Sequence, residues 1–132
     1  MQLTNKTVLI TGGASGIGKI MVRLALERKA KVIIWDINQT GIDSTITDFK
    51  NLGEIAGFVV DVSNPTQIEE TAQKVKQEIG FVDVIINNAG IIVGKYFHEH
   101  SNQEIDKTMA INSSAPMLSL IHISEPTRLR RI

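Results

Sequence analysis

The chain has 132 residues, of which 42% are apolar, 21% charged and 5% aromatic, with no cysteine; that is one domain with a real core, and it excludes a disordered chain, a disulfide framework and a thiolate metal site. Fourteen basic residues balance fourteen acidic ones, so neither nucleic acid nor an acidic membrane is expected as a partner. Apolar runs such as residues 82–86, broken by Asp83, are far too short to cross a bilayer, and the first residues lack the apolar region of a secretory signal, so a cytoplasmic location is expected.

Residues 6–10 (KTVLI) are a β-branched and aliphatic run ending in Thr11-Gly12-Gly13, which predicts a buried strand entering a glycine turn. Ile17, Ile20, Met21, Leu24 and Ala25 then recur at helical spacing and predict the inner face of a first helix. A second strand is expected over 31–35, and Ile42, Ile46 and Phe49 mark a second helix, closed by Gly53 in the C′ position that favours positive φ. Residues 55–60 read as the third strand. The next helix opens with Asn64 as N-cap, Pro65 at the first helical position and Gln67 at the third, a capping-box arrangement. Its inner face is Ile68, Ala72, Val75 and Ile79, and Gly80 ends it. A fourth strand over 82–86 runs into Asn87-Asn88-Ala89-Gly90. Beyond a loop, Ser101 with Glu104 forms a second capping box, and Ile105, Met109 and Asn112 share one face of the helix it opens.

Strands and helices therefore alternate, and the strands are continuous apolar runs rather than alternating ones. That is the pattern of a parallel sheet covered on both faces by helices. Right-handed crossovers give strand order 3-2-1-4, the first part of a doubly wound α/β (Rossmann) dinucleotide fold, incomplete here.

Residues 11–18 (TGGASGIG) lie where the first strand hands over to the first helix. Gly12 and Gly16 supply the backbone angles of the turn and lack the Cβ that would block an approaching pyrophosphate. The helix N-terminus behind them, at Ser15, Gly16 and Ile17, offers unpaired N–H groups and partial positive charge to an anion, while Gly18 lets helix and strand pack closely. Read without a ligand, the same glycines make a tight strand-to-helix connection. A competing motif overlaps them: residues 13–19 (GASGIGK) satisfy the G-x-x-x-x-G-K skeleton of a nucleoside-triphosphate loop. That loop requires Ser or Thr after the lysine to hold magnesium, whereas Ile20 stands there, on the expected buried face.

Asp36 ends the second strand, eighteen residues beyond Gly18. A carboxylate there accepts both ribose hydroxyls of an adenosine and repels a 2′-phosphate. No arginine follows it in 37–39, and Ala14-Ser15 add no positive charge, so NAD is expected over NADP. Asp61-Val62 ends the third strand, where side chain and backbone can meet the adenine edge with Val62 against the ring. The pair His98 and His100 around Glu99 lacks a third matched ligand and reads as a solvated loop, so no metal is expected.

Taken together, TGGASGIG at 11–18, Asp36, Asp61-Val62, the NNAG run at 87–90 and Asn112 resemble the short-chain dehydrogenase/reductase family, in order and at family spacing up to Met117. Residues 90–116 are broadly similar to steroid/retinol-dehydrogenase-like and oxoacyl-reductase-like members. The resemblance implies hydride transfer between a nicotinamide and a small-molecule alcohol or carbonyl substrate, in a homo-oligomeric parent protein. It makes Asn88, Ala89 and Gly90 cofactor-side residues and gives Asn112 the positioning of a water in a proton relay; an internal structural hydrogen bond is the compatible plainer role. The family's chemistry also needs a serine, and a tyrosine with a lysine four residues on. The one tyrosine, Tyr96, has His100 four residues on and precedes Asn112, so no candidate for that Ser, Tyr or Lys exists here. A non-catalytic dinucleotide-binding module or redox-sensing regulator is the second reading.

The end of the chain differs in composition. Without residues 118–132 the body, 1–117, carries 11 basic against 13 acidic groups, and three of the five arginines (Arg128, Arg130, Arg131) fall in the last five residues. Residues 118–128 (LSLIHISEPTR) resemble one translated frame of a transposase sequencing adapter. The expectation is a natural chain that continues past Pro116 or Met117 into the missing catalytic residues, with 118–132 a non-native tail; a genuine basic extension is the alternative.

Overall fold

The computed structural model describes residues 2–90 and Gln103. Seven elements alternate: β1 (Thr7–Thr11), α1 (Gly16–Glu27), β2 (Lys31–Asp36), α2 (Gln39–Phe49), β3 (Ile55–Val59), α3 (Pro65–Glu78) and β4 (Val84–Asn87). The strands form one sheet in the order β3-β2-β1-β4, every pairing parallel. The expected α/β doubly wound topology is thus present. The expected fourth helix with Asn112, the stretch containing Tyr96, His98 and His100, and residues 118–132 lie outside the described residues.

The continuous apolar strands follow from burial on both faces. Val8, Ile10, Val32 and Ile34 point to one side and pack with Val22, Ala25 and Leu26 of α1 and Ile42 of α2. Leu9, Ile33, Trp35 and Ile85 point to the other, against Ile68, Ala72 and Val75 of α3. Because successive side chains leave opposite faces of a strand, a strand covered by helices on both sides has no polar position to spare.

Several details depart from expectation. The buried residues of α1 are Gly18, Val22, Ala25 and Leu26, whereas Ile17, Ile20 and Leu24 are 72%, 50% and 38% exposed. Close packing of Gly18 on the glycine turn sets the rotation of this helix, and Ile20 is therefore not on a buried face. Gly53 is not a left-handed cap: α2 closes at Lys50 in right-handed geometry, and positive φ among the described glycines occurs at Gly12, Gly16 and Gly80. Ile79 caps α3 and is 37% exposed, so the buried face is Ile68, Thr71, Ala72 and Val75. Gly80, at φ +107, ends α3 as expected.

Candidate functional site

Register places Thr11, Asp36, Val59 and Asn87 along one edge of the sheet, the carboxyl ends of all four strands. In open α/β sheets a ligand crevice forms at this edge, between strands whose connections run to opposite faces.

Leaving β1, the chain turns at Gly12 (φ +69), where the N–H of Gly12 donates to the Trp35 carbonyl at 2.7 Å. Gly16 (φ +56) opens α1, and a Cβ there would meet nothing within 4 Å. Gly18 acts from behind: its Cβ would fall on the Gly12 carbonyl oxygen and lie 2.6 Å from Asn88 Nδ2. Capping separates α1 from its neighbours. Asn38 caps α2 and Asn64 caps α3 through their side chains, but the Ser15 side chain makes no capping bond. The first N–H groups of α1 are thus left for an anion from outside the helix.

The segment after β4 is tied to this turn. Thr11 Oγ1, on a residue 3% exposed, accepts from the backbone N–H groups of Asn88 (3.1 Å) and Ala89 (3.0 Å), and Asn88 Nδ2 donates to the Gly12 carbonyl at 3.3 Å. Asp36 is held beside them: Oδ2 accepts from the N–H of Ala14 at 3.1 Å and Oδ1 from that of Asn38 at 3.0 Å. One carboxylate is thereby fixed to the glycine turn while retaining lone pairs for a further donor. At the end of β3, Asp61 Oδ1 accepts from the N–H and the hydroxyl of Ser63, at 2.9 and 2.6 Å.

These groups surround a cleft of about 300 Å³. Of the residues singled out from sequence, Gly12, Ser15, Asp36, Asp61, Val62, Asn88, Ala89 and Gly90 line it. Gly16 and Ile17 lie exposed at the start of α1, and Gly18 is buried behind the turn. Asn112 is outside the described residues.

Trp35, Ile37 and Val60 also line the cleft and were not anticipated. Trp35 Nε1 is, among the described residues, the buried side-chain polar atom that has no hydrogen-bond partner. Ile37 is 64% exposed, an apolar side chain at the mouth of a polar turn. Thr11 and Ser63 were likewise missed as positioning groups; their signal is a hydroxyl directly before the glycine turn and another two residues after a strand-end aspartate.

The lysine of the competing triphosphate motif points elsewhere. Lys19 Nζ pairs with Asp48 at 2.8 Å and lies 5.6 Å from the centre of the Phe49 ring, joining α1 to the end of α2. Among the described residues no group of three or more His, Cys, Asp or Glu side chains is placed to hold a metal, and no helix is long and apolar enough to cross a membrane.

The family described as short chain dehydrogenase matches residues 6–125. Human estradiol 17-beta-dehydrogenase 11 is 39% identical over 112 residues, which are 84% of this chain and 37% of that protein. An uncharacterized oxidoreductase of Thermotoga maritima is 39% identical over 119 residues, 89% of this chain and 47% of the relative. Among solved structures, L-sorbose reductase of Gluconobacter frateurii, complexed with NADPH and L-sorbose, superposes with a TM-score of 0.87 at 19% identity, over 93% of this chain and 48% of that one. The chain therefore spans less than half the length of each of these proteins.

Proposed function

Because the chain belongs to the short-chain dehydrogenase family, we propose that it is the cofactor-binding part of an NAD-dependent oxidoreductase acting on a small-molecule alcohol or carbonyl compound. The observation that carries the reading is the hydrogen bond from the Ala14 N–H to Asp36 Oδ2, which fixes an acceptor for ribose hydroxyls to the turn that receives the pyrophosphate.

The residues fit such a dinucleotide. The Gly12 and Gly16 backbone and the uncapped N-terminus of α1 take the pyrophosphate; a side chain at either glycine would strain a left-handed backbone there. Asp36 takes the adenosine ribose, and its negative charge opposes a 2′-phosphate. Asp61 and the Val62 backbone face the adenine, with Ile37 and Val62 on its apolar surfaces. Asn88, Ala89 and Gly90 form the wall nearest β4. When bound, the nicotinamide supplies or accepts the hydride. The L-sorbose reductase carries NADPH on the same fold, so the choice of NAD rests on Asp36 and on the lack of an arginine at 37–39.

Calorimetric titration of the 132-residue chain with NAD and NADP tests this. NAD is expected to bind about tenfold or more tightly than NADP, the worth of one charged hydrogen-bonding group; equal affinity, or a preference for NADP, overturns the assignment. No NAD reduction is expected on adding an alcohol, since no Tyr-x-x-x-Lys pair occurs in the sequence. Measurable reduction overturns that part.

A further inference from the structure

The end of β3 is more tightly organised than a strand-end aspartate requires. Asp61 Oδ1 accepts twice from Ser63, from the backbone N–H at 2.9 Å and the hydroxyl at 2.6 Å. The backbone N–H of Asp61 donates to Gln67 Oε1 at 2.8 Å, so Gln67 closes onto Asp61 rather than back onto the Asn64 N–H as a reciprocal capping box would. Asn64 N–H donates to the Asp61 carbonyl at 3.0 Å. Three groups on the first turn of α3 and its approach thus fix this one residue. Among the described residues nothing donates to Asp61 Oδ2, and the Val62 N–H has no acceptor; both residues line the cleft.

An acceptor followed by a donor is the complement of a 6-aminopurine edge, whose exocyclic amine donates and whose ring nitrogen accepts. A 6-oxopurine presents the reverse: an oxygen toward the carboxylate and an N–H toward the Val62 N–H. A carboxylate that turns freely about its Cβ–Cγ bond blurs this discrimination, because turning moves both oxygens. The Ser63 hydroxyl opposes that rotation by holding one oxygen. A backbone N–H alone is the ordinary turn closure after Asp; the hydroxyl bond is additional to it.

Resting on the nicotinamide dinucleotide reading above, we infer that Ser63 is a positioning residue for base specificity, holding the Asp61 carboxylate so that the cleft takes a 6-amino and rejects a 6-oxo purine. Chains with Ser63, Ser63→Ala and Ser63→Thr are titrated calorimetrically with NAD and with nicotinamide hypoxanthine dinucleotide. The parent chain is expected to prefer NAD by about tenfold or more. S63A is expected to shrink that ratio about threefold or more, through weaker NAD binding with the hypoxanthine dinucleotide unchanged, and S63T to restore it. Equal affinity of the parent chain for the two dinucleotides overturns the inference without any variant. So does S63A weakening both by one factor, since a hydroxyl that merely supports the loop leaves the ratio untouched. Failure of the parent chain to bind either dinucleotide overturns the cofactor reading itself, and this inference with it.

Discussion

Gly18 lies so close to the carbonyl of Gly12 that a methyl group at position 18 would fall on the Gly12 oxygen. The obstruction is backbone, which cannot move aside as a flexible side chain can. Gly18→Ala is therefore expected to destabilise the domain by about 3 kcal/mol, at the upper end for overpacking. Gly16→Ala is expected to cost about 1–2 kcal/mol, because space is open there and only the left-handed backbone is strained. Urea unfolding of the two variants checks the order; equal losses would mean that the Gly18 contact is not close.

Asp36 is expected to set cofactor choice. Asp36→Ser removes the negative charge while leaving a short polar group near the Ala14 N–H. NAD affinity should fall about tenfold, the loss of a charged hydrogen bond, while NADP affinity holds or rises. Calorimetry with both dinucleotides reads this, and a parallel loss for the two would show that Asp36 only supports the turn.

The fold was legible because its physics is coarse. Residues 32–35 are apolar throughout, as a strand buried on both faces must be; 55–60 are equally apolar although β3 is a half-buried edge strand, and the aspartates following both runs mark the sheet edge where the cleft lies. Asn64-Pro65 marked the start of α3 because an N-cap is a local interaction, and the Asn64 side chain does accept from the N–H groups of Thr66 and Gln67. The α1 face was misread because the contact of Gly18 with Gly12 rotates the helix, and no periodicity of Ile17, Ile20 and Leu24 encodes that contact. Gly53 was misread for a related reason: α2 ends without a left-handed residue. The roles of Thr11 and Gln67 depend on bonds to Ala89 and Asp61, and spacing alone does not choose those partners.

Thr11 holds the wall of the cleft nearest β4. Thr11→Val keeps the shape but removes the oxygen that accepts from Asn88 and Ala89; the Asn88 N–H retains the Ile86 carbonyl at 3.1 Å, whereas the Ala89 N–H must find another partner. A loss of about 1–3 kcal/mol is expected, together with weaker NAD binding as that wall loosens. Thr11→Ser should restore both. If T11V weakened neither stability nor binding, the two hydrogen bonds would be unimportant to the site.

Lys19 separates the dinucleotide reading from the triphosphate one. Its pair with Asp48 is partly exposed, the two side chains being 30% and 51% accessible, so Lys19→Ala should cost less than about 1 kcal/mol. NAD affinity should not change, and the parent chain should show no lysine-dependent ATP binding. ATP binding lost on K19A would revive the triphosphate loop.

The central claim is that one cleft, at the carboxyl edge of the sheet, receives a nicotinamide dinucleotide. Amide-resolved NMR titration of the chain with NAD tests it most directly. The account predicts that the largest shifts fall on Gly12, Ser15, Gly16, Asp36, Asp61, Val62 and Ala89, with little change at Leu3, Thr4, Arg28 and Lys29 around the opposite hollow. Shifts centred on that opposite hollow, or none at saturating NAD, would contradict it.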